Sequence, residues 1–447
     1  MKIKLLFVLP WIVVALLGCE IIQRPGEPRY HALSFTGDEP ITVWNLNRYS
    51  LLLHSSPASE NPTAIMAEGG DLLYISTEEA ETYYRYNPRD GNKLSFTCDP
   101  DAPFKMFLNG RLISLSLSDD PAVWEWIEDC DVHSLRNLRS LYFFEGEEGS
   151  QNLGLVQKIA NAQPNIGLIF DESYDPLEII ALFTPSWLVV QGLFDGDEDT
   201  MSRLTTLECL FCYTSEGTEF IAEFPNLENL ILYTEGATNS FQLNRLNKLR
   251  SLSLFGYSDI KGLTTISDRK RLRNLYLIGG EPDDISPISV FPNLTGLGFN
   301  LCEEPVDLSE LQTLPRLRWF SFPPNVSQSD FSTFLSQHPG LKVIDLLGCD
   351  EINDLSPLAR FKKVQGLTLD IDVDDLSALY QLTDLEVLVL GEDSFDEEEY
   401  ENLQAALPNT QVASGGYCLG SGWLLLMIPV IVVGNVVIHL GRRRSSR

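Results

Sequence analysis

The 447-residue sequence predicts an α/β repeat solenoid with parallel β-strands on its concave face, a small β-rich N-terminal region and a C-terminal transmembrane helix. Three observations carry that expectation. The pattern L-x-x-L-x-L recurs from Leu112 to Leu390 with a period near 22 residues. The chain is longer than one compact core usually grows, so a stacked array is favoured over a single globule. Two apolar runs, Leu5 to Leu17 and Trp423 to Leu440, bracket everything else.

Residues 1–19 carry Lys2 and Lys4, then the first apolar run, then Gly18-Cys19, the layout of a secretory signal peptide. Leu16-Leu17-Gly18-Cys19 resembles a bacterial lipobox, a resemblance that implies a lipoprotein lipidated at Cys19; an ordinary signal cut nearby is the alternative. Residues 20–108 lack the repeat. Asp90-Gly91 and Asn109-Gly110 are hairpin turn signals, the first lying between the strand-like stretches Tyr83-Tyr86 and Leu94-Thr97, so a β-rich domain or cap is expected. Export to an oxidising compartment permits disulfides, and Cys98 and Cys130, which flank the first repeat, are the expected staple.

Residues 109–413 hold the repeats. Their registers include Leu138/Leu141/Phe143, Leu207/Leu210/Cys212, Leu252/Leu254, Leu275/Leu277, Leu317/Phe320/Phe322 and Leu385/Leu388/Leu390. Starts from Leu207 onward are separated by 20, 22, 23, 22, 23, 24, 23 and 21 residues. Ile166 to Phe170 and Trp187 to Leu193 read as degenerate repeats, and Pro408 to Val412 as a truncated last one. Within each short strand the second and third Leu point to one side and the residues between them to the other. No repeat buries its apolar edge alone, so the repeats stack, the signature of a leucine-rich-repeat solenoid. Asp284-Ile285-Ser286-Pro287-Ile288 and Asp354-Leu355-Ser356-Pro357-Leu358 recur after the strand, and Phe291-Pro292-Asn293-Leu294 leads into the next. These stretches resemble the 22-residue repeats of internalin-like bacterial surface proteins. The resemblance covers about Leu112 to Val412 and implies the fold, not a particular ligand. Where that class often has Asn, three residues after the last strand Leu, this chain has Gly280, Cys302, Asn325, Cys349, Asp372 and Asp393.

Residues 414–422 read as a Gly-rich linker, 423–440 as a transmembrane helix, and 441–447 as a basic cytoplasmic tail. Arg442 to Arg444 follow the apolar run directly, which by the positive-inside rule puts the body of the chain on the extracytoplasmic side, in a periplasm or at the cell surface. Leu407-Pro408-Asn409-Thr410 resembles a sortase signal, but Gln411 stands where that signal has Gly, and Pro-Asn recurs at this repeat position.

The charge balance, 32 Lys and Arg against 63 Asp and Glu for a net −31, argues against nucleic acid as a partner. No metal or cofactor motif, phosphate loop or nucleophile elbow is present, and none of the five His lies in a nucleophile or metal pattern, so no enzyme is expected. Cys209 and Cys212 have C-x-x-C spacing, but the register puts them on opposite strand faces. The register also yields the concave face, where Tyr142, Phe144, Phe211, Tyr213, Tyr233, Phe255, Tyr276, Ile278 and Trp319 form an apolar ladder in the N-terminal half. Rigid aromatics on a preformed surface anchor protein interfaces, so the expected partner is a protein ligand on that half of the face. The alternative is a structural component of the cell envelope whose aromatics cover one another or are covered by the N-terminal region.

Overall fold

The computed structural model describes residues 19–21, 30–34, 40–46, 49–53, 63–66, 72–76, 81–85 and 94–99, for which only the backbone is considered, and most of 102–415. Within that last span it omits 109, 119, 144–151, 172–175, 194–203, 215–218, 235–242, 258–259, 281–283, 301–305, 312–313, 372, 374 and 391–396. The lipobox-like stretch up to Gly18, the 423–440 apolar run and the basic tail lie outside the described residues. Among the described residues no helix is long and apolar enough to cross a membrane.

Thirteen successive parallel pairings join the strands from Arg111–Leu117 to Gln411–Gly415 into one ladder. The register is the one the Leu pattern dictates: Leu230 faces Leu252, which faces Leu275, which faces Leu297. The weak-pattern strands Gly167–Phe170 and Trp187–Leu193 join the ladder in sequence. Leu115, Leu141, Leu168, Leu188, Leu210 and their successors point to one side and are completely buried. Each is covered by the return segment of its own repeat, which supplies residues such as Ile127, Ile159, Ile221, Leu263, Ile288 and Leu358 to the same continuous core. A solenoid built this way has no centre; its core is a column one repeat wide.

The return segments are helical where the sequence can cap them. Asp120 accepts from the Ala122 N–H to start the helix Pro121–Asp129, and Ser327 accepts from the Asp330 N–H to start Gln328–Gln337. Lys158 donates to the carbonyls of Ile127, Glu128 and Cys130, satisfying orphan acceptors at the end of the first of these helices. Elsewhere a short 3-10 turn suffices, as in Ser286–Val290 and Ser356–Arg360, the two Ser-Pro stretches singled out from sequence. Asp284 and Asp354 each accept from the N–H two residues on, fixing the turn before it. The same Asp-x-Ser device recurs at Asp307 and Asp375.

Glycines mark the descent from the strand. Gly256, Gly279 and Gly348 take φ of 67°, 62° and 66° at the same repeat position, a left-handed conformation that any Cβ would strain. At the following turn column Cys349 is buried, its thiol reaching the Pro323 carbonyl at 3.6 Å in the place where Asn is common. Tyr257 and Gly280 occupy this column as a matched pair: a Cβ at Gly280 would lie 2.2 Å from the Tyr257 carbonyl oxygen and 2.6 Å from its ring.

The N-terminal region is joined to the ladder. Ala102–Leu108 pairs antiparallel with Arg111–Leu117 across a tight turn at Gly110, φ 76°, where Asn109-Gly110 signalled a hairpin. Leu94–Asp99 pairs with Ala102–Leu108 in turn. The strands flanking Asp90-Gly91 do not form a hairpin, because Glu81–Arg85 pairs with Leu72–Ser76 in a separate three-stranded sheet. The far end of the ladder is also covered: Cys19–Ile21 pairs antiparallel with Gln411–Gly415, Cys19 opposite Gly415. Leu407 and Thr410 of the sortase-like stretch are buried in the last repeat, with the Thr410 hydroxyl donating to the Leu385 carbonyl at 2.8 Å.

In place of the expected Cys98–Cys130 staple, Cys130 is a free thiol donating to the Ile127 carbonyl at 3.3 Å; the Cys98 side chain lies outside the described residues. Desolvation raises the Cys130 pKa, opposed by Lys158. Its sulfur is therefore held as a neutral donor at a helix end.

Candidate functional site

The concave face is built from three columns of side chains that alternate with the core Leu. The first runs Ser114, Ser140, Gly167, Trp187, Cys209, Asn229, Ser251, Asn274, Gly296 and Trp319. The second holds Tyr142, Ile169, Val189, Phe211, Ile231, Ser253, Tyr276 and Gly298. The third carries Tyr213, Tyr233, Phe255 and Ile278.

Coverage divides the face. At its N-terminal end the strand Glu81–Arg85 lies against Arg111–Leu117, Ser140–Phe143 and Gly167–Phe170. The core side of those strands is already filled by Val123, Ile127, Val156 and Ile159, so the crossing strand occupies the concave side. Small residues make room for it: Ser114, Ser116 and Ser140 are all fully buried, and the Ser140 hydroxyl donates to that of Ser114 at 2.6 Å. Tyr142 is buried in the same area, in a cluster with Ile169, Val189, Phe211 and Tyr213. Phe144 lies outside the described residues.

Further along, the aromatics cover one another. Tyr213 meets Phe211 edge-on at 5.7 Å and Tyr233 at 4.6 Å, and Tyr233 continues to Phe255 at 5.9 Å. Tyr276 and Trp319 are not on adjacent strands but touch, centroids 4.9 Å apart, because Gly298 between them has no side chain. Both are buried, as is Ile278. Of the nine ladder residues expected from sequence, Tyr233 and Phe255 are thus the described pair left half-buried rather than buried.

Two further residues of the face are half-buried, and the first of them adjoins that pair. Ile231 neighbours Tyr233 on the same strand, and Trp187 lies across Gly167, whose hypothetical Cβ would fall 1.8 Å from the indole. Gly167 next to Trp187 in the strand-start column was the sequence signal for this indole, hidden because both repeats are degenerate. At the start of the strand Asn274–Ile278, Asn274 is 8% exposed, and its Oδ1 is buried with no hydrogen-bond partner among the described residues. A buried acceptor without a donor is costly, on the order of 1–3 kcal/mol. Its column also carries the polar residues Asn229 and Ser251.

Cys212 lies in the core, where burial raises its thiol pKa, while Cys209 lies on the concave face with Trp187 and Asn229 as strand neighbours. The two thiols point apart.

The sequence matches no protein-family model and no curated protein. Among solved structures the chain is similar to an internalin from Listeria monocytogenes, 15% identical over 64% of this chain and 87% of that one, with a TM-score of 0.42. It is similar also to a leucine-rich-repeat protein of Leptospira interrogans, 17% identical over 62% of this chain and 90% of that one, TM-score 0.33. A third likeness is to TLR13 in a complex with ssRNA13, 16% identical over 63% of this chain but 39% of that one, TM-score 0.36. The likeness is one of fold. The ladder and its register establish that fold on their own: a leucine-rich-repeat solenoid.

Proposed function

We propose that this chain is a non-enzymatic recognition scaffold, anchored to a membrane and displayed outside the cytoplasm, that takes a protein partner on its concave face. The observation that carries the reading is the half-buried apolar cluster of Ile231, Tyr233 and Phe255 on adjacent strands of the concave face. Aromatic side chains on a preformed surface are the usual anchors of an interface centre. Anchoring rests on the sequence layout, an apolar run followed by Arg442 to Arg444 and a lipobox-like stretch ending at Cys19.

The test compares the full chain with a Tyr233→Ser/Phe255→Ser double variant, both half-buried positions, after checking that the two melt alike. Cross-linking on the surface of source cells should recover a partner with the first and lose it with the second. Equal recovery from both sinks the reading. Intact-mass measurement of membrane-extracted protein separately reports whether Cys19 carries a lipid and whether the 423–440 run is retained.

A second reading, a structural envelope component without a specific ligand, is favoured by one observation. Tyr142, Phe211, Tyr213, Tyr276 and Trp319 are already covered within the chain. No partner lost on the double substitution is the outcome this reading expects.

A further inference from the structure

The two apolar runs of the sequence join the fold at one place. The first, Leu5 to Leu17, leads through Gly18 directly to Cys19, and the second begins at Trp423, separated from Gly415 by residues 416–422. Cys19 and Gly415 are partners in the antiparallel pairing of Cys19–Ile21 with Gln411–Gly415, which sets their Cα atoms about 5 Å apart. Both must therefore lie on the same side of any membrane the runs enter. The flanking charges agree with that requirement. Lys2 and Lys4 precede the first run and Arg442 to Arg444 follow the second, so the positive-inside rule directs Cys19 and Gly415 alike to the extracytoplasmic side.

We propose that the end of the solenoid formed by these two strands faces the lipid bilayer, and that the array projects from it with its aromatic half held away from the membrane. The proposal rests on the anchoring reading and adds to it an orientation. That orientation is the same whether the first run is kept as an anchor, replaced by a lipid on Cys19 or cut away, because the second run enters beside it. Tyr233 lies eight strand steps from Gln411–Gly415, about 38 Å along the ladder at about 4.8 Å per step. A partner on the concave face would thus be met well clear of the headgroups.

Charge and linker length fit an array that stands rather than lies. From Asp370 to Gly415 the sequence has thirteen Asp and Glu and no Lys or Arg, so an anionic bilayer repels the very end that is tethered to it. Residues 416–422 allow that end to stand off by at most about 29 Å when fully extended, about three Debye lengths at physiological salt. Screening then removes most of the repulsion. Lying flat would instead bring the rest of the net −31 against the headgroups as well.

The experiment reconstitutes full-length protein into vesicles of phosphatidylcholine and phosphatidylglycerol that carry an acceptor dye on their headgroups, with a donor dye at Asn409 or at Asn137. Both side chains are exposed and precede the first core position of their repeats, twelve strand steps apart, so they differ mainly in distance along the stack. Expected is energy transfer at least about twofold stronger from Asn409 than from Asn137, across the ~58 Å between them. A donor at Gln23, just past the strand Cys19–Ile21, should match Asn409. Equal transfer from Asn409 and Asn137, or transfer from Gln23 as weak as from Asn137, in vesicles that carry the protein overturns the orientation and leaves anchoring intact. Protein that does not float with the vesicles sinks the anchoring reading, and the orientation with it.

Discussion

At the scale of single residues, the molecule is governed by pairs in which a glycine on one strand or turn makes room for an aromatic on the next. Gly280→Ala is the sharpest test, because its Cβ would meet the Tyr257 backbone oxygen, which cannot rotate away. Overpacking of this kind costs about 1–3 kcal/mol, read as a lowered urea midpoint with an unchanged slope. Gly167→Ala confronts only the Trp187 side chain, so the indole should swing outward and its fluorescence shift to the red. His338 supplies a pH dependence. Its Nε2 accepts from the Leu314 N–H at 3.2 Å, its Nδ1 donates to the Phe334 carbonyl at 3.0 Å, and its ring stacks on Phe334 at 4.1 Å. Burial lowers its pKa, partly offset by the Phe334 bond, so the neutral ring is the folded form. The unfolded chain binds the proton more readily, so stability is full above the ordinary value of 6.5 and is lost as pH falls from there toward the lowered folded value. Urea midpoints at neutral and mildly acidic pH should differ, and His338→Gln should flatten the difference.

At the scale of elements, the repeat was legible and the site only half so. Strand registers follow from two periods that reinforce each other, two within the strand and about 22 along the chain, and the degenerate strands at Gly167 and Trp187 fell into line because their neighbours fix them. Which aromatics face away from the core followed from the same register. Their exposure did not, because it depends on the size of the residue one strand over, as at Gly298, and on a strand, Glu81–Arg85, that no repeat pattern connects to the array. Capping belongs to this scale. Ser327→Ala removes the acceptor for the Asp330 N–H and should cost about 1 kcal/mol in chemical denaturation. The hydrogen bonds from the Ser two residues on lower the carboxyl pKa of Asp284, Asp307 and Asp375. A depressed carboxylate stabilises above its unfolded value and loses that contribution as pH falls through the folded one. The three turns should therefore loosen together below about pH 4, visible as faster amide exchange at Ser286, Ser309 and Ser377.

At the scale of the whole molecule, each repeat touches its neighbours and little else, so the array is a one-dimensional stack whose weak points are its two ends. Both are closed by the N-terminal region: Ala102–Leu108 covers the first strand and Cys19–Ile21 the last. An open end would offer a row of unpaired backbone groups to another copy. Deleting residues 19–21 should therefore make the protein self-associate with rising concentration, measured by sedimentation velocity; a variant that stays monomeric would show that the last strand needs no cover.

That closure also has a meaning in time. The strand at Cys19 is synthesised long before the strand at Gln411 to which it pairs, with nearly the whole array between them. Repeats can stack as they emerge, each on a neighbour already formed, but this one pairing must wait for the last of them. The segment made early is the one that docks at the end, so it acts as a completion step, formed only by a chain whose final repeat is in place.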